Sequence, residues 1–307
     1  MKYSMKKILV LFLMLFLIPL ASCGNTKAEV VATNFIGYDA ARAVIGSEDI
    51  KLDMLLKPGL DIHSYEPSAT DIREVLNAKV FIYIGGESDE WVETEILPKL
   101  SSNVKVVSMF EVLQHGLLFE EGEEDEYDEH VWTNPDNYRA IVLAVGEALM
   151  ETYKDKASNL EKNTDAYATK LFELDKAFQT KIARNNITDI VVADRFPFLY
   201  FVKRYGLEHL GALSGCSQDT NVASAKILEL KNRVEEKKLT KIYIIELSEG
   251  RIANSVKSEI DNDIKAGRYN GSSPTIVTFH SIQNITKQEF DNKLDYVYFM
   301  NLNLEAL

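Results

Sequence analysis

The chain has 307 residues, of which 46% are apolar and 26% charged, with 15 Gly, 7 Pro and 2 Cys. That balance excludes collagen-like, low-complexity and wholly disordered architectures, and two cysteines are too few for a disulfide framework. A net charge of −13 argues against a nucleic-acid partner held through phosphate contacts.

The N-terminus reads as a targeting segment. Lys2, Lys6 and Lys7 form a basic head, and an apolar run follows from Ile8 to Ala21. At about 14 residues it is shorter than the roughly 20 that a spanning helix needs and fits a signal-peptide core. It ends in Leu20, Ala21, Ser22 and Cys23. This resembles a bacterial lipobox, in which the cysteine is lipidated and becomes the new N-terminus. The expectation is a signal peptide over 1–22, lipidation at Cys23 and a tether over 23–28. The mature chain is then extracytoplasmic and lipid-anchored to the cell membrane, and Cys216 is its only free thiol.

Strand and helix patterns alternate from residue 29 onwards. The first half offers strands at 29–33, 51–56, 80–84 and 104–109, with helices at 69–78 and 89–100. The second offers strands at 189–193, 208–213, 241–247 and 274–279, with helices at 223–238 and 251–264. This alternation argues for βαβ units and parallel sheets, and four strands per half predict two similar α/β lobes. The stretches 136–153 and 157–185 carry no strand signal, and Gly146 is their only Gly or Pro. Tyr167, Leu171, Leu174, Phe178 and Ile182 recur at helical spacing, with Leu160 two turns earlier. A helix of that length spans about 40 Å and reads better as a rod joining the lobes than as a coiled-coil seam. Residues 286–307 read as a final helix. The expected domains are an N-terminal lobe over 29–156, a linking helix over 157–187 and a C-terminal lobe over 188–307.

The chain contains five histidines. His63 follows the second strand, His130 follows the fourth, and His280 follows the last. Ligand sites of open parallel sheets gather outside the carboxyl ends of strands, and imidazole is a common ligand for zinc and other transition metals. These three are therefore candidate ligands, with unrelated surface or core roles as the alternative. Asp194, Glu246 and Cys216 also stand at strand ends and are candidates for a fourth donor. His115, in a helical stretch, and His209, at a strand start, suit structural roles.

Several spaced motifs occur in one order. They are 59–67 around His63; Tyr83, Ile84, Gly85, Gly86 and Glu87 followed by Trp91 and Val92; and Asp128 to Trp132 with Pro135. Further on come 194–200, then Tyr205, Gly206 and Leu207, then Ser214, Gly215, Cys216 and Ser217, and the closing 296–307. Over essentially the whole mature chain they resemble the zinc- and manganese-specific solute-binding lipoproteins of bacterial metal ABC importers. The resemblance implies an α/β fold of two Rossmann-like lobes, each with a four-stranded parallel sheet, joined by a long rigid helix. It implies a metal in the interlobe cleft, a monomer, and an ABC permease as partner. His63 and His130 match the first-lobe ligand positions, and His280 falls where many members place an acidic ligand.

Two departures from the family pattern stand out. Where many members carry a third histidine, this chain has Arg195, a guanidinium that stays protonated and cannot ligate. Its neighbour Asp194 either takes that role or pairs with Arg195 or Arg204. The acidic run 120–129 holds no histidine; it reads as a solvated loop, with a weak cation-collecting role as the alternative. The expected donors are His63, His130, His280 and Asp194. Three imidazoles and a carboxylate point to Zn2+, with Mn2+ as runner-up, because manganese sites lean on oxygen donors. The function expected is capture without catalysis. The competing classes are a zinc-dependent hydrolase with an open water position and a metal-independent surface adhesin.

Overall fold

The computed structural model describes residues 27–121, 125–217 and 222–307. The signal segment, Cys23 and most of the tether lie outside these residues, as do Gly122, Glu123 and Glu124 of the acidic run.

Eight strands form two sheets among the described residues. The first comprises β1 Val30–Ala32, β2 Leu52–Met54, β3 Val80–Tyr83 and β4 Lys105–Ser108, in the spatial order β2-β1-β3-β4. The second comprises β5 Asp189–Phe196, β6 Glu208–Ser214, β7 Lys241–Ile244 and β8 Thr275–Thr278, in the order β6-β5-β7-β8. All pairings are parallel; Val30 lies opposite both Leu52 and Val80, and Tyr243 opposite Val277. β3 is buried at every position, as parallel strands covered on both faces must be, and for that reason it reads as an apolar run. The repeated order puts a topological switch point between β1 and β3 and another between β5 and β7, where a crevice opens outside the strand ends.

Helices cover both sheets. α1 Phe35–Ile45 follows β1 and starts where the Asn34 side chain accepts from the Gly37 N–H at 3.2 Å. α2 Ala69–Val75 opens with a Ser68/Asp71 capping box, and α3 Met109–Leu113 follows β4 directly. α4 Pro135–Thr152 begins with Asn134 as its cap and Pro135 at its first position, where the missing N–H costs nothing. α5 Ala157–Asn185 is the predicted rod, 29 residues ending at Asn186 in the left-handed conformation.

One face of α5 buries Leu160, Tyr167, Leu171, Leu174, Phe178 and Ile182. It packs on α1 and α4 of the first lobe, and on α6 Leu199–Tyr205 and α10 Tyr296–Ala306 of the second. A single apolar core thus runs from Phe35, Trp132 and Tyr138 through Leu171 to Phe201 and Phe299. A large apolar contact of this kind resists hinge motion, because separating the lobes would expose it to water. α7 Ser224–Lys237 and α8 Arg251–Lys265 cover the outer face of the second sheet.

Two predicted helices differ from the observed elements. Over 89–100 the chain forms short turns, including a wide five-residue turn at Val92–Ile96 and a tight one at Leu97–Lys99. Pro98 lacks the N–H an α-helix needs and its ring collides with the carbonyl four residues back. The C-terminal helix is split into α9 Lys287–Asp291 and α10. Lys293 lies at φ 57° between them, and Asp295 caps α10 by accepting from the Tyr298 N–H at 2.8 Å.

Candidate metal centre

The loops that leave β2, β4 and β6 meet between the lobes. Asp61 opens a short turn over Ile62–Ser64 by accepting from the His63 N–H at 3.0 Å. This holds His63 towards the cleft, with Nδ1 3.1 Å from the Ser88 hydroxyl and 3.8 Å from Glu129 Oε2. Glu129 Oε1 accepts from the Ser88 N–H at 2.6 Å. Gly86 makes room for that carboxylate: it sits at φ 100°, and a Cβ there would lie 2.7 Å from Glu129 Oε1.

His130 is wholly buried. The Asp128 carboxylate accepts from the His130 N–H at 2.8 Å and stands 3.2 Å from Nδ1. With Nδ1–H donating to Asp128, the neutral ring keeps its lone pair on Nε2 for a metal, the arrangement common in histidine metal sites. Nε2 lies 2.8 Å from Gln283 Oε1, and the Gln283 amide reaches His63 as well. Gln283 turns the oxygen end of its amide to the imidazoles, where it accepts from a ring nitrogen that carries a proton. The two imidazole centroids are 5.3 Å apart.

Their electrostatics differ. Burial, reinforced by the neighbouring charge of His130, pushes His63 down to about 4. Burial also opposes charge on His130, but Asp128, Glu129 and Gln283 outweigh it and the net shift is upward. Glu129 is pushed up to about 7, chiefly by burial.

Cys216 completes the cluster. The donor atoms of His63, His130 and Cys216 all lie within 4.8 Å of one another, the only such grouping that includes a histidine among the described residues. The thiol is held from the acidic run. Glu120, itself buried, accepts from the Gly215 N–H at 2.8 Å and from the Cys216 thiol at 3.6 Å. Burial, then the carboxylates of Glu120, Glu129 and Asp128, raise the thiol far above its ordinary range.

The other two predicted donors are placed differently. His280 Nδ1 accepts from the Ile282 N–H at 3.0 Å, and its ring packs against Phe299 with centroids 4.2 Å apart. Its Nε2 is buried without a hydrogen-bond partner among the described residues. Asp194 accepts from the Arg195 N–H at 2.9 Å and from the Ser248 hydroxyl. It lines, with His63, Asp61 and Arg195, a cavity of about 570 Å³ between the lobes. Arg195 crosses that cleft to Asp61 at 3.0 Å. Arg204 pairs with Asp175 at 2.7 Å and with Asp136 at 3.5 Å.

Glu246 accepts from the Ser281 and Asn284 N–H groups at 2.8 and 3.2 Å and from the Ser281 hydroxyl at 2.6 Å. It thereby shapes the 281–284 loop that presents Gln283. Sequence reasoning passed over Gln283, because a lone amide three residues beyond a strand-end histidine carries no signal. His209 pairs with Glu121 at 2.7 Å and stacks on Phe196.

Similar proteins share this fold. A family model described as "Zinc-uptake complex component A periplasmic" matches residues 30–307. The zinc-binding lipoprotein AdcA of Streptococcus pneumoniae is 28% identical over 99% of this chain and 60% of its own length. The high-affinity zinc uptake system protein ZnuA of Bacillus subtilis is 25% identical over 94% of this chain and 92% of its own. The chain thus spans about three-fifths of the streptococcal relative. Among solved structures, the Zn(II)-bound ZnuA-like domain of S. pneumoniae AdcA superposes with a TM-score of 0.73, at 27% identity, over 91% of this chain and 97% of that domain. The periplasmic zinc-binding protein TroA of Treponema pallidum, at 23% identity, shares the fold with the same TM-score. Matched across both lobes and the helix that joins them, the chain belongs to the zinc-uptake component A family.

Proposed function

We propose that this protein is an extracytoplasmic receptor that captures Zn2+ between its lobes and delivers it to an ABC-type permease. The observation that carries the reading is the meeting of His63 and His130, 67 residues apart, with ring centroids 5.3 Å apart in the interlobe cleft. Buried imidazoles at that separation, one with its far nitrogen on a carboxylate, suit a borderline cation such as zinc. Zinc is favoured over Mn2+, which leans on oxygen donors.

The function is capture, not turnover. The sequence holds no His-Glu-x-x-His pattern, and the zinc-uptake family supports transport. Among the described residues no helix is long and apolar enough to cross a membrane; attachment is proposed through lipid on Cys23. The mature chain acts as a monomer. The core shared across α5 implies that release comes from loosening the loops around the donors, not from wide lobe opening.

The test is competitive zinc and manganese titration of the mature chain, with metal analysis of protein purified without added metal. One zinc per chain, with His63→Ala and His130→Ala each losing at least 100-fold in affinity and His115→Ala unchanged, supports capture. Unchanged affinity in both cleft variants would overturn it.

A further inference from the structure

We infer that the Cys216 thiolate is a third ligand to the captured ion, joining His63 and His130 in a nitrogen–sulfur site that selects thiophilic divalent cations. This rests on the capture reading and specifies its donor set.

Geometry carries the assignment. The three donor atoms already lie within 4.8 Å of one another. Zinc draws nitrogen to about 2.0–2.1 Å and sulfur to about 2.3 Å, so small side-chain rotations close the set. The loop that bears the thiol is fixed against the site. A Cβ on Gly215 would lie 3.1 Å from His130 Cε1 and 3.1 Å from the Phe196 carbonyl oxygen, so the backbone presses directly on the imidazole. Glu120 holds the same loop from behind through the Gly215 N–H.

A second observation points to a ligand at this spot. Gln283 is 2% exposed and its Nε2 has no hydrogen-bond partner among the described residues, although its Oε1 stands 2.8 Å from His130 Nε2. A buried amide half satisfied beside three metal-type donors fits an ion with bound water on its fourth side. Arg195 carries no donor lone pair, so the thiolate takes over as third donor where that residue cannot serve. On binding, a metal–sulfur bond forms, the S–H bond breaks and the proton leaves to solvent.

The consequence is selectivity. A thiolate favours Zn2+ and Cd2+ and gives little to Mn2+, which prefers oxygen. The test uses Co2+ as an optical probe of the mature chain, reduced with a phosphine. Thiolate ligation gives a near-ultraviolet sulfur-to-cobalt charge-transfer band, which must vanish in Cys216→Ser and persist in His280→Ala. Cys216→Ser is also expected to lower zinc affinity 10- to 100-fold while leaving manganese affinity within about two-fold. X-ray absorption of the zinc-loaded chain should show one sulfur at about 2.3 Å. Cobalt binding without that band, or zinc affinity unchanged in Cys216→Ser, removes Cys216 from the site while His63 and His130 still define a receptor. Absence of stoichiometric zinc in the unaltered chain overturns both readings.

Discussion

Replacing Asp39 by alanine tests how the two lobes are held together. This carboxylate is wholly buried on α1. Its Oδ2 accepts from the Tyr138 hydroxyl of α4 at 3.0 Å, the Tyr167 hydroxyl of α5 at 2.7 Å and the Tyr296 N–H of α10 at 3.2 Å. Its other oxygen pairs with Arg42, which also donates to the Leu294 carbonyl at 2.8 Å. Tyr138 keeps an alternative acceptor in the Ile36 carbonyl at 3.2 Å, and Arg42 is partly solvated. The unavoidable losses in Asp39→Ala are therefore the Tyr167 hydroxyl and the Tyr296 N–H. Each orphaned buried donor costs about 1–3 kcal/mol, and removing one partner of a buried ion pair costs about 3–5 kcal/mol. The terms share one group and do not add, so the expected loss is about 3–5 kcal/mol. That is a large part of a typical stability of about 5–15 kcal/mol. Asp39→Asn keeps an acceptor oxygen for the Tyr167 hydroxyl and the Tyr296 N–H and loses only the charge beside the partly solvated Arg42; its expected cost is about 1–2 kcal/mol. Urea unfolding at pH 7, followed by circular dichroism and by the fluorescence of Trp91 and Trp132, measures both from the midpoint shift at constant slope. A loss below about 1 kcal/mol in Asp39→Ala, or Asp39→Asn proving worse than Asp39→Ala, would refute the reasoning.

Four further outcomes are expected. Phe178→Ala should destabilise by about 3–5 kcal/mol, because its fully buried ring lies edge-on to Phe201 and anchors α5 to the second lobe; the same urea assay reads it. Burial pushes Asp89 up to about 6 from an ordinary 3.8. An acid whose folded pKa is raised binds more protons folded than unfolded, so its contribution falls as pH rises from about 4 to about 6 and stays level above that. Asp89→Asn, which can still accept from the Ile84 and Gly85 N–H groups, should flatten stability-versus-pH by up to about 3 kcal/mol, and an unaltered slope counts against the assignment. Arg195→Ala breaks only a partly exposed bridge to Asp61, costing about 0.5–1 kcal/mol, yet removing a cation from the cavity wall should tighten zinc binding in the competition titration. Zinc at a hundred-fold excess over Kd should stabilise the chain by about 2.7 kcal/mol, and a chelator should reverse the melting shift.

The eight strands and the long helix were legible because burial leaves a direct trace in the sequence. A parallel strand covered on both faces has to be apolar along its length, as residues 80–83 are. A helix buried on one side repeats its apolar residues every three or four positions, as α5 does. The breaks at Pro98 and Lys293 were less visible, since the surrounding pattern remained helical and a single residue changed the backbone.

Positions at strand ends single out His63, His130, His280, Asp194 and Cys216 in the sequence alone. Which of them share a site depends on loop paths that no local pattern encodes. The Ile282 N–H occupies one nitrogen of His280, Ser248 and the Arg195 N–H hold Asp194, and Glu120 turns Cys216 towards the two imidazoles. The amino-acid order by itself determined the lobes, the rod and the set of residues able to hold a metal, because those follow from periodicity and side-chain chemistry. The tertiary structure alone decided which donors converge, because donors far apart in sequence are brought to within a few ångströms only by long-range packing and hydrogen bonds between loops.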